Sequence, residues 1–390
     1  METPKVIKPL KILFVINWLK KGGAERIVLE ISKCLSKREG VKVLIVLIHP
    51  ENEYKLLSNG LNIKNSESLV IPSFFRKSKV NLTNFINIVN DFNPDIIHSH
   101  LFESEIFSRW ELFPKTLYVT HCHGNYTQFK KFSLSVLFNR TLLTNYYERF
   151  ILFKKYRECN NHFIAVSNDT LSFLNKNLPK DLQQINLHPN AIDFYKFNQN
   201  NVNQDRNPQK RPVKLITVGS LIKKKNQIFL INVVDILIKK GFDVILDIFG
   251  VGEKKELLEK EIKKNKLGEN IFLKGLVENI EDNYNSSDIY VHSSLSESFG
   301  LVMLEANAAG LPVVCLDGKG NRDIIKEGYN GYMIKKTEPV LFADKIIQLV
   351  SSPELYQNIS ANAVKFASGY DIQLYADKLI EYYHNLRLIN

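Results

Sequence analysis

The stretch KILFVINWLKKGGAERIVLEISKCLSKR, residues 11–38, decides the fold of this 390-residue chain. Residues 11–17 are almost entirely apolar, which predicts a buried strand. After the glycine pair Gly22 and Gly23, apolar residues recur at helical spacing over 24–38, which predicts an amphipathic helix. A buried strand that passes through glycines into a helix is typical of a parallel sheet with helices on its faces.

The same alternation repeats in two halves of the chain. Further apolar runs lie at 41–48, 95–100, 116–121 and 162–167, and then at 214–220, 243–250, 270–275, 288–294 and 311–317. Between the halves, the polar segment NQNNVNQDRNPQKRP, residues 198–212, reads as a linker. We therefore predict an α/β chain with two Rossmann-like, doubly wound domains. The boundaries are 1–200 for the first domain, 201–212 for the linker and 213–370 for the second, with helix 371–390 as a candidate to pack back on the first.

Composition places the chain among folded cytosolic proteins. It is 44% hydrophobic and 24% charged, and its four cysteines form no C-x-x-C pair. No apolar run approaches the roughly 20 residues that cross a bilayer. We expect a cytoplasmic protein without a disulfide framework.

The net charge of +11 favours an anionic partner or substrate. Between Asn125 and Asn161, seven lysines and arginines are interleaved with nine phenylalanines and tyrosines. This pattern suits an anionic membrane surface at the inner face of the cell membrane. A solvated basic face over an aromatic core explains it equally well. Nucleic acid is disfavoured as a partner, because no recognisable nucleic-acid-binding module accompanies the charge.

The segment SESFGLVMLE, residues 296–305, carries the strongest chemical signal. A helix that begins near Phe299 or Gly300 would direct unpaired N–H groups and the positive end of its dipole toward an anion, as in a phosphate site. Glu305, about two turns into that helix, can accept hydrogen bonds from vicinal hydroxyls such as those of a ribose. Glu297 can face a sugar on the other side of the phosphate. These residue types predict a nucleotide-sugar site.

With these motifs, the chain resembles the retaining glycosyltransferases of family 4, whose GT-B fold has two Rossmann-like domains facing a central cleft. Glu297 and Glu305 fill the E-x7-E element of that family. The resemblance implies donor-binding roles for Ser298, Phe299, Gly300 and Leu301 at the diphosphate. It covers nearly the whole chain.

Other donor contacts follow from the same resemblance. In VGSLIKKKN, Lys225 matches the basic residue that neutralises the donor phosphates, whereas Ser220 stands where the family commonly has an arginine. Lys223 or Lys224 is a candidate to compensate. The remaining implied donor contacts are the Gly22–Gly23 loop, Gly250 in DIFGVGE, and Leu276 with Val277 near the base.

Four histidines follow predicted strands, where α/β proteins place their sites. The resemblance implies that a histidine after such a strand contacts the donor sugar, and His123 fits that position best, with His121 as the other choice. We expect His98 and His100, with His121 if it does not take that position, to shape the acceptor side or the interdomain cleft. Each H-x-H pair, even with Cys122, supplies too few ligands for a closed zinc site. The D-x-D motif, by which other glycosyltransferases hold a divalent ion, is missing. We expect neither a metal nor a cofactor.

The predicted activity is the transfer of a sugar from a nucleotide-sugar to a hydroxyl of a glycan or lipid-linked acceptor, with retention of the anomeric configuration. A UDP-sugar is the expected donor. Bacterial surface polysaccharide synthesis is the expected setting, with Glu297, His123 and Lys225 as catalytic residues. Two alternatives remain. One is a UDP-sugar epimerase of the same architecture, and the other is a non-catalytic partner protein that binds nucleotide-sugars.

Overall fold

The structure, a computed structural model, describes residues 8–66, 81–131, 139–199 and 212–389. The chain forms two compact units, one comprising Met1–Asn190 with Ile372–Asn390 and the other Ala191–Asp371. Except for Pro212, the predicted linker 201–212 lies outside the described residues.

The first unit is a seven-stranded parallel sheet covered by helices. Its elements before Asn190 are β1 (Leu10–Ile16), α1 (Gly23–Leu35), β2 (Val41–Leu47), β3 (Ile63–Asn65), α2 (Thr83–Phe92), β4 (Ile96–His100), α3 (Phe102–Arg109), β5 (Leu117–Cys122), α4 (Arg140–Glu158), β6 (His162–Ala165), α5 (Asn168–Asn177) and β7 (Ile185–Leu187). The strand order is β3-β2-β1-β4-β5-β6-β7. The order reverses between β1 and β4, which makes this a doubly wound sheet.

The second unit repeats the architecture with six strands. Its elements are α6 (Phe194–Phe197), β8 (Val213–Val218), α7 (Gln227–Lys239), β9 (Val244–Phe249), α8 (Lys255–Lys264), β10 (Ile271–Gly275), α9 (Ile280–Asn285), β11 (Ile289–His292), α10 (Leu301–Ala308), β12 (Val313–Leu316), β13 (Gly331–Ile334), α11 (Pro339–Ser351) and α12 (Pro353–Ser368). The order β10-β9-β8-β11-β12-β13 is again parallel and reverses between β8 and β11. The predicted α/β class with two doubly wound domains is confirmed.

The chain ends in helix α13 (Ile372–Ile389), which packs on the first unit. The Sγ of Cys34 donates to Gln373 Oε1 at 2.9 Å, and Arg38 pairs with Asp377 at 2.7 Å. Residues 191–199, which we assigned to the first domain, group instead with the second unit. The Ile192 N–H donates to the Tyr370 carbonyl, which ties this segment to the end of α12.

No helix within the described ranges is both long enough and apolar enough to cross a lipid bilayer.

Candidate functional site

A buried carboxylate, Glu297, lies at the centre of the second unit's candidate site. It follows β11 in the turn that leads to α10. Lys225 Nζ donates to Glu297 Oε1 at 2.6 Å, and His292 Nε2 donates to the same oxygen at 2.8 Å. Glu297 and Lys225 were predicted site residues, and the fold brings them together across 72 positions of sequence. His292 was not predicted, because it is a single histidine in the run DIYVHSS.

The two partners keep Glu297 ionised. Burial alone would raise the pKa of this carboxyl, but the hydrogen bond from His292 and the charge of Lys225 bring it well below its usual range. Burial lowers the pKa of His292 itself. His292 is therefore a neutral donor at neutral pH, and Lys225 supplies the positive charge.

The lysine segment is held in place by the turn that carries Glu297. Lys223–Lys225 form a short 3-10 turn, in which Lys223 and Lys224 are exposed while Lys225 points toward the carboxylate. The Leu295 N–H donates to the Lys224 carbonyl at 3.0 Å, and the Ser293 hydroxyl to the Lys225 carbonyl at 2.8 Å. These bonds fix the position of a cation beside Glu297.

Helix α10 begins at Leu301, with Gly300 as its N-cap. The predicted start near Phe299 or Gly300 is thus early by one or two residues. Gly300 adopts φ = +100°, a left-handed conformation that favours glycine. The Phe299 side chain is buried, so only its backbone can meet a ligand. The first N–H groups of a helix have no intrahelical acceptor and suit a phosphate.

Glu305 lies on the inner face of α10 and is almost fully buried. The Tyr284 hydroxyl, from α9, donates to Glu305 Oε2 at 3.1 Å. This contact holds one oxygen of the carboxylate in a fixed orientation. Tyr284 was not singled out in the sequence, where it belongs to an unremarkable NYN triplet.

The loops after β8 and β9 meet backbone to backbone. A Cβ on Gly250 would lie 2.1 Å from the Gly219 carbonyl oxygen, and one on Gly252 would lie 2.4 Å from the Leu221 carbonyl oxygen. Gly250 also adopts φ = +139°. The predicted donor-side glycine at 250 therefore has a packing role, which sets the position of exposed Ser220 and the lysine segment.

A second loop, 317–323, closes on Glu297 from the other side. The Glu297 N–H donates to the Gly318 carbonyl at 2.8 Å, and the Gly320 N–H donates to the Glu297 carbonyl at 3.2 Å. A Cβ on Gly320 would approach the Glu297 carbonyl oxygen to 2.5 Å. Both main-chain and side-chain atoms of Glu297 are thus held.

Leu276 and Val277 follow β10 and are exposed apolar side chains. Exposed apolar atoms at the carboxyl end of a parallel strand can stack on a base. The structure thus leaves both residues available for the predicted contact.

In the first unit, the Gly22–Gly23 loop is braced by Tyr54. The Gly22 N–H donates to the Tyr54 hydroxyl oxygen at 3.1 Å, and this hydroxyl donates to the Gly22 carbonyl at 2.9 Å. A Cβ on Gly22 would lie 2.3 Å from Glu25 Oε2. Burial raises the pKa of Glu25. Because Gly22 has no side chain, the Glu25 carboxyl can lie against the start of α1.

The four predicted histidines form one stacked cluster. His98 and His100 lie on β4, His121 lies on β5, and His123 follows it. His121 and His123 stack with centroids 4.4 Å apart, and His100 Nδ1 lies 2.8 Å from His123 Nε2. Burial lowers the pKa of His123 to about 3, so its imidazole is neutral at neutral pH. His98, His100 and His121 are fully buried.

Two family models match the chain. The model "Glycosyltransferase Family 4" matches residues 21–195, and the model "Glycosyl transferases group 1" matches residues 198–366.

Among curated relatives, the chain is 34% identical over 158 residues to the poly(glycerol-phosphate) alpha-glucosyltransferase of Bacillus subtilis (strain 168), covering 40% of this chain and 24% of that protein. It is 26% identical over 239 residues to the UDP-Gal:alpha-D-GlcNAc-diphosphoundecaprenol alpha-1,3-galactosyltransferase of Escherichia coli, covering 58% and 60%. The matches to the first four relatives span only 24–34% of those proteins' lengths.

Solved structures share the fold across the whole chain. Anabaena Alr3699/HepE in complex with UDP matches with a TM-score of 0.77 at 18% identity, covering 96% of this chain and 100% of that one. The crystal structure of TarM matches with a TM-score of 0.75 at 17% identity, covering 96% and 98%. These matches confirm the predicted GT-B fold. Since the two family models account for both units, the chain belongs to glycosyltransferase family 4.

Proposed function

We propose that this protein transfers a sugar from a UDP-sugar to an acceptor hydroxyl, with retention of anomeric configuration and without a divalent metal at the diphosphate. The observation that carries the proposal is the Lys225–Glu297–His292 arrangement beside the start of α10. It combines a fixed cation and a helix N-terminus, as a departing diphosphate requires, with an ionised carboxylate for a sugar.

Charge stabilisation of the leaving group is the main catalytic task in this proposal. Negative charge develops on the diphosphate as the bond to the sugar breaks, and Lys225 and the first N–H groups of α10 neutralise it. Lys225 has three N–H donors, so it can hold Glu297 and a phosphate oxygen together. A fixed donor costs little reorganisation during the reaction, which is why the bonds to the Lys224 and Lys225 carbonyls matter.

The other residues of the donor site bind different parts of the nucleotide-sugar. We assign Glu305 to the ribose hydroxyls, Leu276 and Val277 to the base, and Glu297 to the transferred sugar. From the first unit, His123 and the Gly22–Gly23 loop are assigned to the sugar and phosphate. Because its Nε2 faces His100, the nitrogen that His123 can offer is Nδ1.

The names of relatives support the choice of donor and acceptor. The Escherichia coli relative is named for UDP-Gal and a diphosphoundecaprenol acceptor, and the Bacillus relative for poly(glycerol-phosphate). We therefore propose a UDP-sugar donor and a glycan or lipid-linked acceptor of a bacterial surface polymer. An acceptor in a membrane would bring the protein to the inner membrane face, where α4 is the candidate contact.

The decisive experiment incubates the purified protein with a panel of UDP- and GDP-sugars, each with and without a lipid-linked glycan acceptor, without added Mg²⁺ or Mn²⁺. We expect acceptor-dependent release of UDP from one UDP-sugar, and an NMR spectrum of the product that shows the donor's anomeric configuration. A changed sugar in the absence of acceptor would establish an epimerase instead. Thermal stabilisation by UDP-sugars without turnover on any acceptor would establish the non-catalytic alternative.

A further inference from the structure

We propose that His98, His100 and His121 bind one transition-metal ion, Zn²⁺ by preference, inside the first unit. From the sequence we expected no metal, because either H-x-H pair alone supplies only two ligands. The parallel pairing of β4 with β5 brings ligands from both pairs together. His100 lies opposite His121 in the register, and His98 precedes His100 by two residues. Side chains two apart on a strand share a face, so the three imidazoles gather on one face of the sheet.

The ring nitrogens are close enough for a common ion. One nitrogen from each of the three rings lies within 4.8 Å of the chosen nitrogens of the other two. A tetrahedral zinc site with Zn–N bonds of about 2.0 Å needs nitrogens about 3.3 Å apart. Closing the site requires nitrogens that are up to 4.8 Å apart to approach by about 1.5 Å. The rings, whose planes lie 16–37° apart, must also turn so that their nitrogen lone pairs converge on the ion.

Each of the three rings has at least one nitrogen without a hydrogen-bond partner among the described residues. His98 Nδ1 lies 2.5 Å from the Tyr383 hydroxyl, and His100 Nδ1 lies 2.8 Å from His123 Nε2. Within the described part of the chain, Nε2 of both rings and both nitrogens of His121 have no hydrogen-bond partner. Metal-bound histidines typically bond through one nitrogen and donate the other N–H to an orienting group. Tyr383 and His123 occupy that orienting position.

Packing alone does not explain four unpaired nitrogens. A buried polar atom without a partner is destabilising, and the polar atoms of a histidine that only fills space would normally be hydrogen-bonded.

A fourth ligand is available beside His121. Asn190 lies beside His121, and its Oδ1 is buried without a hydrogen-bond partner among the described residues. Either this oxygen or one water completes four-fold coordination. A ligand set dominated by imidazoles selects Zn²⁺, Co²⁺, Ni²⁺ or Cu²⁺ over Mg²⁺ and Ca²⁺. The ion would join β4 to β5 as a structural link, with no part in bond breaking.

The test measures metal content directly. The protein is expressed in zinc-supplemented medium with a tag that contains no histidine, passed over a chelating resin and analysed by plasma mass spectrometry. We expect about one zinc per chain, and less than about a tenth of that in His121→Asn. His162→Asn is the matched control, because His162 is also buried on a strand with an unpaired Nε2 but belongs to no cluster. It should keep the full zinc content. Equal zinc in both variants would overturn the proposal.

A second measurement avoids substitution altogether. Co²⁺ titrated into chelator-treated wild-type protein should produce visible absorption of tetrahedral intensity that saturates at about one equivalent, and Zn²⁺ should abolish it. Absence of that absorption, together with absence of bound zinc, would show that the histidines only pack. Neither readout depends on sugar transfer, so failure of this proposal leaves the proposed activity untouched.

Discussion

Glu297 Oε1 accepts hydrogen bonds from two side chains, and the two donors have different chemistry. Lys225 carries a charge that a diphosphate also needs, whereas His292 is buried and neutral. Removing Lys225 should therefore affect the leaving group, while removing His292 should affect only the orientation and ionisation of Glu297. The two substitutions separate the two functions of the arrangement.

Lys225→Met should lower the rate constant of sugar transfer by about 100-fold or more, because a prepositioned charge at the departing diphosphate is lost. The measurement is steady-state UDP release with a saturating acceptor. Lys239→Met is the control, since Lys239 is an exposed lysine on α7 that pairs with Asp235 one turn away. A Lys225→Met rate within about twofold of that control would remove Lys225 from the mechanism.

His292→Phe should lower kcat by about tenfold while leaving KM for the UDP-sugar nearly unchanged, since His292 is buried and acts through Glu297. Without this hydrogen bond, burial is opposed by Lys225 alone, so the pKa of Glu297 rises from its lowered value. The acid limb of the kcat–pH profile should then move to higher pH, because the ionised carboxylate is the active form. His292→Gln retains an N–H donor and should restore the wild-type profile. A profile that does not move in either variant would contradict this role.

Glu105 on α3 provides a stability test away from the site. Burial raises its pKa to about 7, against the opposing effects of Arg109 and of hydrogen bonds from Tyr156 and Thr120. The folded state therefore holds this proton more tightly than the unfolded state, whose pKa is about 4.5. Protonated Glu105 therefore contributes its full stabilisation of the fold below pH 4.5. As the pH rises through 7, this contribution is lost, and the free energy of unfolding falls by on the order of 3 kcal/mol.

Glu105→Gln is uncharged at every pH and should escape that loss. We expect its melting temperature to rise relative to wild type between pH 5 and pH 8, as measured by differential scanning fluorimetry in matched buffers. Glu111→Gln, an exposed change shortly after α3, should show a constant difference across the same range. Parallel curves for wild type and Glu105→Gln would mean that Glu105 does not titrate there.

At the scale of elements, the sequence predicted the strands better than it predicted the contacts between them. Strands buried on both faces are near-continuous apolar runs, and ten of these were recognised. The edge strands β3, β7 and β13 are not among these ten; β3 and β7 have only three residues each, and β13 has four. A family resemblance assigned Lys225 and Glu297 to the same donor site, but it did not predict the hydrogen bond between them. The His98–His100–His121 cluster depends on strand register, which short motifs do not encode.

Helix α4 contains much of the basic aromatic segment between Asn125 and Asn161, and it divides the aromatic residues between a buried and an exposed face. Leu152, Phe153 and Tyr156 are buried and support the aromatic-core reading, while Phe150 is 68% exposed beside Tyr146. Lys155 and Arg157 pair with Glu158 and Asp181. Phe132 and Phe138 lie outside the described residues. The proposed membrane contact therefore rests on Tyr146 and Phe150, the exposed aromatic residues in the described part of this segment.

Phe150→Ser should weaken binding to vesicles with anionic lipid by several-fold, because an aromatic ring at the lipid interface is lost. Vesicle flotation at low and moderate salt, with and without anionic lipid, measures the effect. Leu56→Ser removes an equally exposed apolar side chain from the same unit and should leave binding unchanged. If wild type itself fails to float at any salt concentration, the membrane contact is disproved.

At the scale of the whole molecule, the first unit is discontinuous in sequence, because α13 follows the second unit along the chain but belongs to the first. Leu379 is fully buried in that helix, whereas Leu388, also in α13, is 84% exposed. Leu379→Ala should therefore destabilise the first unit by about 2–5 kcal/mol, and Leu388→Ala should have little effect. Hydrogen exchange read by mass spectrometry should show faster exchange in β1, β4 and α1 of Leu379→Ala, with β8–β13 unchanged. Faster exchange confined to α13 itself would show that the first unit is stable without it.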